Sequence, residues 1–120
     1  MGTWVYDIDC CVRDLRVSEQ KLADMKRGWH DVADWRERPL GDGTASIDPV
    51  YADGSRLFTE DQPWSFAQDA EDLVAECEPG SVMDLFCYDD FAFVRIRKTD
   101  EGGVSTEWRR AVSPFEVQPA

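Results

Sequence analysis

The chain has 120 residues, enough to bury one core without disulfides or metal, so a single domain over residues 1–120 is expected. An ordinary apolar fraction and five Trp exclude a disordered chain, and no apolar run approaches the ~18 residues of a membrane span. The net charge is −12, and the N-terminus has no basic-then-apolar leader, so a cytoplasmic protein is expected.

In the first segment, "WVYDIDCCV", Trp4, Tyr6, Ile8, Cys10 and Val12 alternate with Val5, Asp7, Asp9 and Cys11. That is the period of a half-buried strand. Ser18 then stands as an N-cap with Glu19 in the first turn of a helix. Leu22, Met25, Trp29, Val32 and Ala33 recur at helical spacing, with Gly28 as a weak point. Pro39 and "LGDGT" end that element. Two short strands are expected near 46–51 and 55–59, turned by Asp53-Gly54.

A second helix is expected from about Ser65. Ser65 and Gln68 have capping-box spacing, and Phe66, Ala70, Leu73, Val74 and Cys77 form an apolar stripe. Pro79-Gly80 stops it. Strands follow at about 82–88, 91–98 and 104–112, with turns at Asp89-Asp90 and "DEGG". The order β-α-β-β-α-β-β-β gives an α+β fold, two helices packed on a mostly antiparallel sheet. A ferredoxin-like core (β-α-β-β-α-β) with an added C-terminal hairpin is one such arrangement.

The charge is local. Residues 1–38 are nearly neutral, with seven basic and eight acidic side chains, whereas residues 60–90 hold ten acids and no Lys or Arg. Asp69, Asp72 and Glu76 fall on the side of the second helix away from its apolar stripe, spanning about 10 Å. Like charges at such spacings cost about 0.2–0.5 kcal/mol per pair, and Glu76 lies where the helix dipole disfavours an anion. Local stability therefore does not account for them, and a solvated face ordinarily mixes signs. With Glu60, Asp61, Asp89 and Asp90 they form a candidate partner-binding face. Its natural partner is a basic protein surface, above all a groove shaped for nucleic acid.

"YDDFAFVRIRK", residues 88–98, resembles the RNP1 strand of RNA-recognition motifs at Phe91-Ala92-Phe93-Val94-Arg95-Ile96. It departs from that pattern where it matters. Asp89 and Asp90 replace the basic residue and the Gly, Ile96 replaces the last aromatic, and the strand follows the second helix rather than preceding it. Phe91 and Phe93 are accordingly expected to be ordinary sheet aromatics. Arg95, Arg97, Trp108 and Arg110 remain a secondary set of partner-binding candidates, since Arg beside an aromatic makes a single-strand platform. Direct nucleic-acid binding is not expected of so acidic a domain.

Catalysis finds no footing. Cys11 or Cys87 with His30, and the Asp89-Asp90 pair, lack a recognisable neighbourhood, and no phosphate-binding Gly loop, HExxH or G-x-S-x-G is present. Neither a C-x-x-C pair nor a second histidine accompanies the four cysteines, so plain thiols, no metal and no cofactor are expected. In size, charge and architecture the chain resembles two inhibitor classes. One is the small acidic anti-CRISPR proteins of phage, nucleic-acid mimics that present carboxylates where DNA would lie. The other is the bacterial immunity proteins that cap toxic nucleases. The first resemblance implies a non-enzymatic inhibitor of a CRISPR effector in the bacterial cytoplasm. The second implies neutralisation of a toxin.

Overall fold

The computed structural model describes residues 5–112 and residue 115, so Trp4 lies outside the described residues. Among these residues are nine elements: β1 (Val5–Ser18), α1 (Glu19–Gly28), β2 (Arg38–Pro39), β3 (Thr44–Ile47), β4 (Glu60–Pro63), α2 (Phe66–Ala75), β5 (Val82–Cys87), β6 (Ala92–Lys98) and β7 (Val104–Arg110). The α+β class holds, with two helices on a seven-stranded sheet ordered β2-β3-β1-β5-β6-β7, and β4 also pairing with β1. All strand pairs among the described residues are antiparallel. A ferredoxin-like core would need a parallel central pair, so the topology here is a different α+β arrangement. No described helix is long and apolar enough to cross a membrane.

β1 organises the sheet. It is 14 residues long, and a bulge between Cys10 and Val12 reverses its inside–outside phase. Before the bulge Tyr6, Ile8 and Cys10 turn inward. After it Arg13, Leu15 and Val17 do, so Val12, expected inside from simple alternation, is 41% exposed. One edge of β1 carries β5. Along the other edge run β4, opposite Val5–Ile8, and β3, opposite Leu15–Ser18. The chain between β3 and β4 bulges away from β1 as a loop over residues 48–59.

Arg13 holds that loop. Its side chain is 2% exposed and its Nη1 lies 3.3 Å from Asp48 Oδ1. Nη1 also donates to Pro49 O at 3.4 Å and Nη2 to Leu57 O. Asp48 receives a second cation, Arg56 Nε, at 3.0 Å. The strand expected near 55–59 does not form. The Asp53-Gly54 turn is present, with Tyr51 N donating to Ser55 O at 2.8 Å. Beyond it Phe58 adopts a left-handed φ of 60°, which breaks an extended run through 55–59, and Glu60, where β4 begins, has φ 64°. The chain instead folds Leu57 and Phe58 into the core and starts β4 at Glu60.

Ser18 caps α1 as its position predicts, its Oγ accepting from Lys21 N at 3.0 Å. Leu22 and Met25 are the buried positions of that helix, which ends at Gly28, leaving Trp29 as its C-cap. α2 buries Phe66, Ala70, Leu73 and Val74, with Cys77 just beyond its end. Its capping box is not closed: Ser65 makes no side-chain bond to the helix backbone, and Gln68 Nε2 donates to Asp72 Oδ1 instead. α2 lies against β5, β6 and β7, whose inward residues include Met83, Leu85, Val94 and Ile96. One continuous apolar cluster joins these residues to α1 and β3.

Candidate functional site

The acids divide into two lobes. Asp69 and Asp72 are exposed on α2, the first in its opening turn, where the dipole favours an anion. Both border a cavity of about 350 Å³, where Asp31, from the turn after α1, joins them. Its walls are aromatic. Trp29 is held edge-on to the buried Trp35 with ring centroids 6.4 Å apart. Tyr51 comes from the start of the turn that Arg13 anchors, and Phe58 from the left-handed backbone beyond it. The Tyr51 hydroxyl has its pKa raised by burial first and by the charges of Asp31 and Asp69 next, so these carboxylates bear on the ring.

The second lobe sits where β1 starts. Asp61 faces Asp7 across the β1–β4 pair, and Glu60 faces Ile8. Like charges directly opposite each other weaken a sheet, so this juxtaposition is not there for stability. Asp89, in the β5–β6 turn, accepts from Asp7 N at 2.8 Å through Oδ2. Asp90 is turned to Cys87, whose Sγ donates to its Oδ2 at 3.6 Å. Asp7 and Asp9 were legible only as outward positions of the first strand, yet with Glu60 and Tyr88 they border one depression.

Glu76 behaves differently. It is half-buried and pairs with Lys21 Nζ at 2.9 Å, tying α2 to α1. It thus leaves the candidate face, and Asp31 takes its place. Of the ten acids in residues 60–90, only Glu76 and Asp84 are in ion pairs among the described residues.

The secondary candidates do not form one patch. Arg95 and Arg97 point to the outer side of the sheet, where Arg95 grips Asp84 through Nε at 2.8 Å and Nη2 at 2.9 Å. Trp108 and Arg110 occupy alternate positions on the other side, and Trp108 packs edge-on to Phe66 of α2 at 6.1 Å. Phe93 and Phe91 are 41% and 51% exposed, because no layer among the described residues covers the outer face. They gather with Tyr88 around Phe86, ring centroids 4.7–5.6 Å away.

The four cysteines are free: Cys11 is exposed, Cys10 half-buried, and Cys77 and Cys87 buried. Burial pushes the Cys77 thiol up to about 12 and raises that of Cys87. Cys11 is raised as well, by partial burial and then by Asp9. Because only the thiolate reacts, alkylation of the native protein at mild alkaline pH should mark Cys11 well before Cys77 or Cys87. Peptide mass spectrometry over time checks the order. Equal labelling of Cys77 and Cys11 without denaturant would contradict this packing. No group of three or more His, Cys, Asp or Glu among the described residues is disposed to hold a metal ion. Comparison of the chain with protein-family models, with curated proteins and with solved structures gave no match in any of the three.

Proposed function

We propose that this protein is a non-enzymatic inhibitor that covers a basic surface of a nucleic-acid-handling protein, in the manner of anti-CRISPR proteins that mimic nucleic acid. The observation that carries the reading is the pair of acidic lobes, whose carboxylates are exposed and without ion-pair partners among the described residues. Neighbouring carboxylates repel one another, and a basic partner turns that repulsion into attraction across the interface. Trp29 and Tyr51 beside the first lobe and Tyr88 beside the second supply contact area of the kind that dominates interface hot spots.

The test is competition. The protein should bind purified CRISPR effectors at low salt and displace, or be displaced by, their DNA. Tight binding that leaves DNA loading untouched would refute mimicry. Relief of killing by a co-expressed toxic nuclease, with no effect on CRISPR effectors, would move the function to toxin immunity. A second reading draws on the open ring cluster of Phe86, Phe91 and Phe93 beside Arg95 and Arg109 on the outer sheet face. Such a face can stack single-stranded bases. It requires filter retention of RNA or DNA that disappears when Arg95, Arg97 and Arg109 become Ala.

A further inference from the structure

We propose that the cavity between the end of α1, the 48–59 loop and the start of α2 receives an arginine side chain of the basic partner. The source of that arginine rests on the inhibitor reading, but the chemistry stands on the cavity itself. Its volume of about 350 Å³ is at the small end of the range for binding pockets, suited to one inserted side chain. The lining includes the half-buried rings of Trp29 and Tyr51 and the buried Phe58, aromatic groups of the kind on which a planar guanidinium stacks. Asp31, Asp69 and Asp72 border them, none in an ion pair among the described residues, and no Lys or Arg lines the cavity.

Gln62 supplies an independent sign of a ligand. It is only 7% exposed and lines the same cavity. Its Nε2 donates to Thr59 O at 2.9 Å and to Asp61 O at 3.0 Å. That fixes the amide, and Oε1 is left as an acceptor with no donor among the described residues. Because Oε1 keeps some accessible surface, a donor entering the cavity can reach it. Three carboxylates and one amide oxygen around aromatic walls make a receptor rich in acceptors. Arginine fits it better than lysine, because its five N–H donors in a rigid plane can meet several acceptors while the plane lies on a ring. The raised Tyr51 pKa agrees with this placement, since two of the carboxylates act on the hydroxyl.

The probe is N-acetyl-arginine amide, titrated into the intact protein and followed by NMR of the Trp29 and Tyr51 rings and the Gln62 side-chain amide. N-acetyl-citrulline amide, its neutral isostere, is the control. Saturable millimolar binding at these groups is expected, weaker by about tenfold or more for the citrulline compound. A similar loss is expected in the Asp69→Asn, Asp72→Asn double variant, whose substitutions are exposed and leave the fold intact. Equal binding of both compounds, shifts confined to the outer sheet face, or no saturable shift would each overturn the proposal. Failure here, with partner binding still sensitive to charge reversal on α2, would remove the pocket and keep the inhibitor reading. Success here, with no competition against nucleic acid on any effector, would do the opposite.

Discussion

Arg13→Met should destabilise the fold by about 3 kcal/mol, a large fraction of what holds a domain of this size together. Methionine replaces most of the buried volume but none of the hydrogen bonds. The carbonyl oxygen of Leu57 loses its guanidinium donor, and an orphaned buried acceptor costs about 1–3 kcal/mol, whereas Pro49 O loses one of two donors and keeps the bond from Leu57 N at 3.2 Å. Relief from burying the guanidinium charge offsets part of this, as does the survival of Arg56 beside Asp48. Replacing a buried ion pair by apolar groups is often harmless when both partners go. Here two of the partners are main chain and cannot be exchanged. Urea unfolding should show a lower midpoint with an unchanged slope, and the melting temperature should drop by roughly 10 °C. Arg13→Lys should fall between, because one ammonium cannot span both carbonyls and Asp48. An unfolding free energy for Arg13→Met within about 1 kcal/mol of the parent would show that the 48–59 loop is held by something else. The same variant should disturb the Trp29–Tyr51 cavity, since its loop wall is the one Arg13 pins.

Reversing Asp31, Asp69 and Asp72 to Lys should abolish partner binding while the fold survives. All three side chains are exposed and lie off the apolar stripe of Phe66, Ala70, Leu73 and Val74. The Asp69 change loses a favourable dipole interaction of about 0.5 kcal/mol, and the Asp72 change loses a surface hydrogen bond from Gln68. Removal of like-charge repulsion along the helix works the other way. The net change in stability should stay within about 1 kcal/mol. Affinity for a basic groove should fall by about a hundredfold or more, mostly through slower association. Glu76 is the wrong third site despite its spacing in the sequence. Glu76→Lys would break the contact with Lys21 and set two cations together between the helices.

Local patterns carried most of the fold into the sequence. The α2 stripe, the Ser18 cap and the β5, β6 and β7 boundaries were all legible, because each depends on a few neighbouring residues. What failed, apart from the Ser65–Gln68 capping box, depended on distant ones. The bulge that sends Arg13 inward is imposed by pairing with β5, and nothing in "CCVRD" announces it. The strand expected near 55–59 has the right residues, yet burying Leu57 and Phe58 over the Arg13 anchor requires a left-handed turn there. β4 was hidden because "EDQP" has the composition of a loop, and it becomes a strand only through its pairing with β1. The acidic segment was visible as composition, and its helical part as spacing. Its division into two lobes, the recruitment of Asp31 and Asp7, and the loss of Glu76 to Lys21 all come from tertiary placement. Trp29 and Tyr51 read as core and turn residues, and only the folded chain brings them together around a cavity.

The most direct test of the anionic-face account is the salt dependence of association with a purified effector, for the parent and for the Asp31, Asp69, Asp72 reversal. Between about 0.1 M and about 1 M salt the Debye length falls from about 10 Å to about 3 Å, so steering by these lobes should collapse. The account predicts a steep drop in the association rate of the parent across that range. It also predicts a flat, slow rate for the reversed variant, with DNA competing against the parent alone. Equal rates for the two proteins, or a parental rate that does not respond to salt, would contradict it.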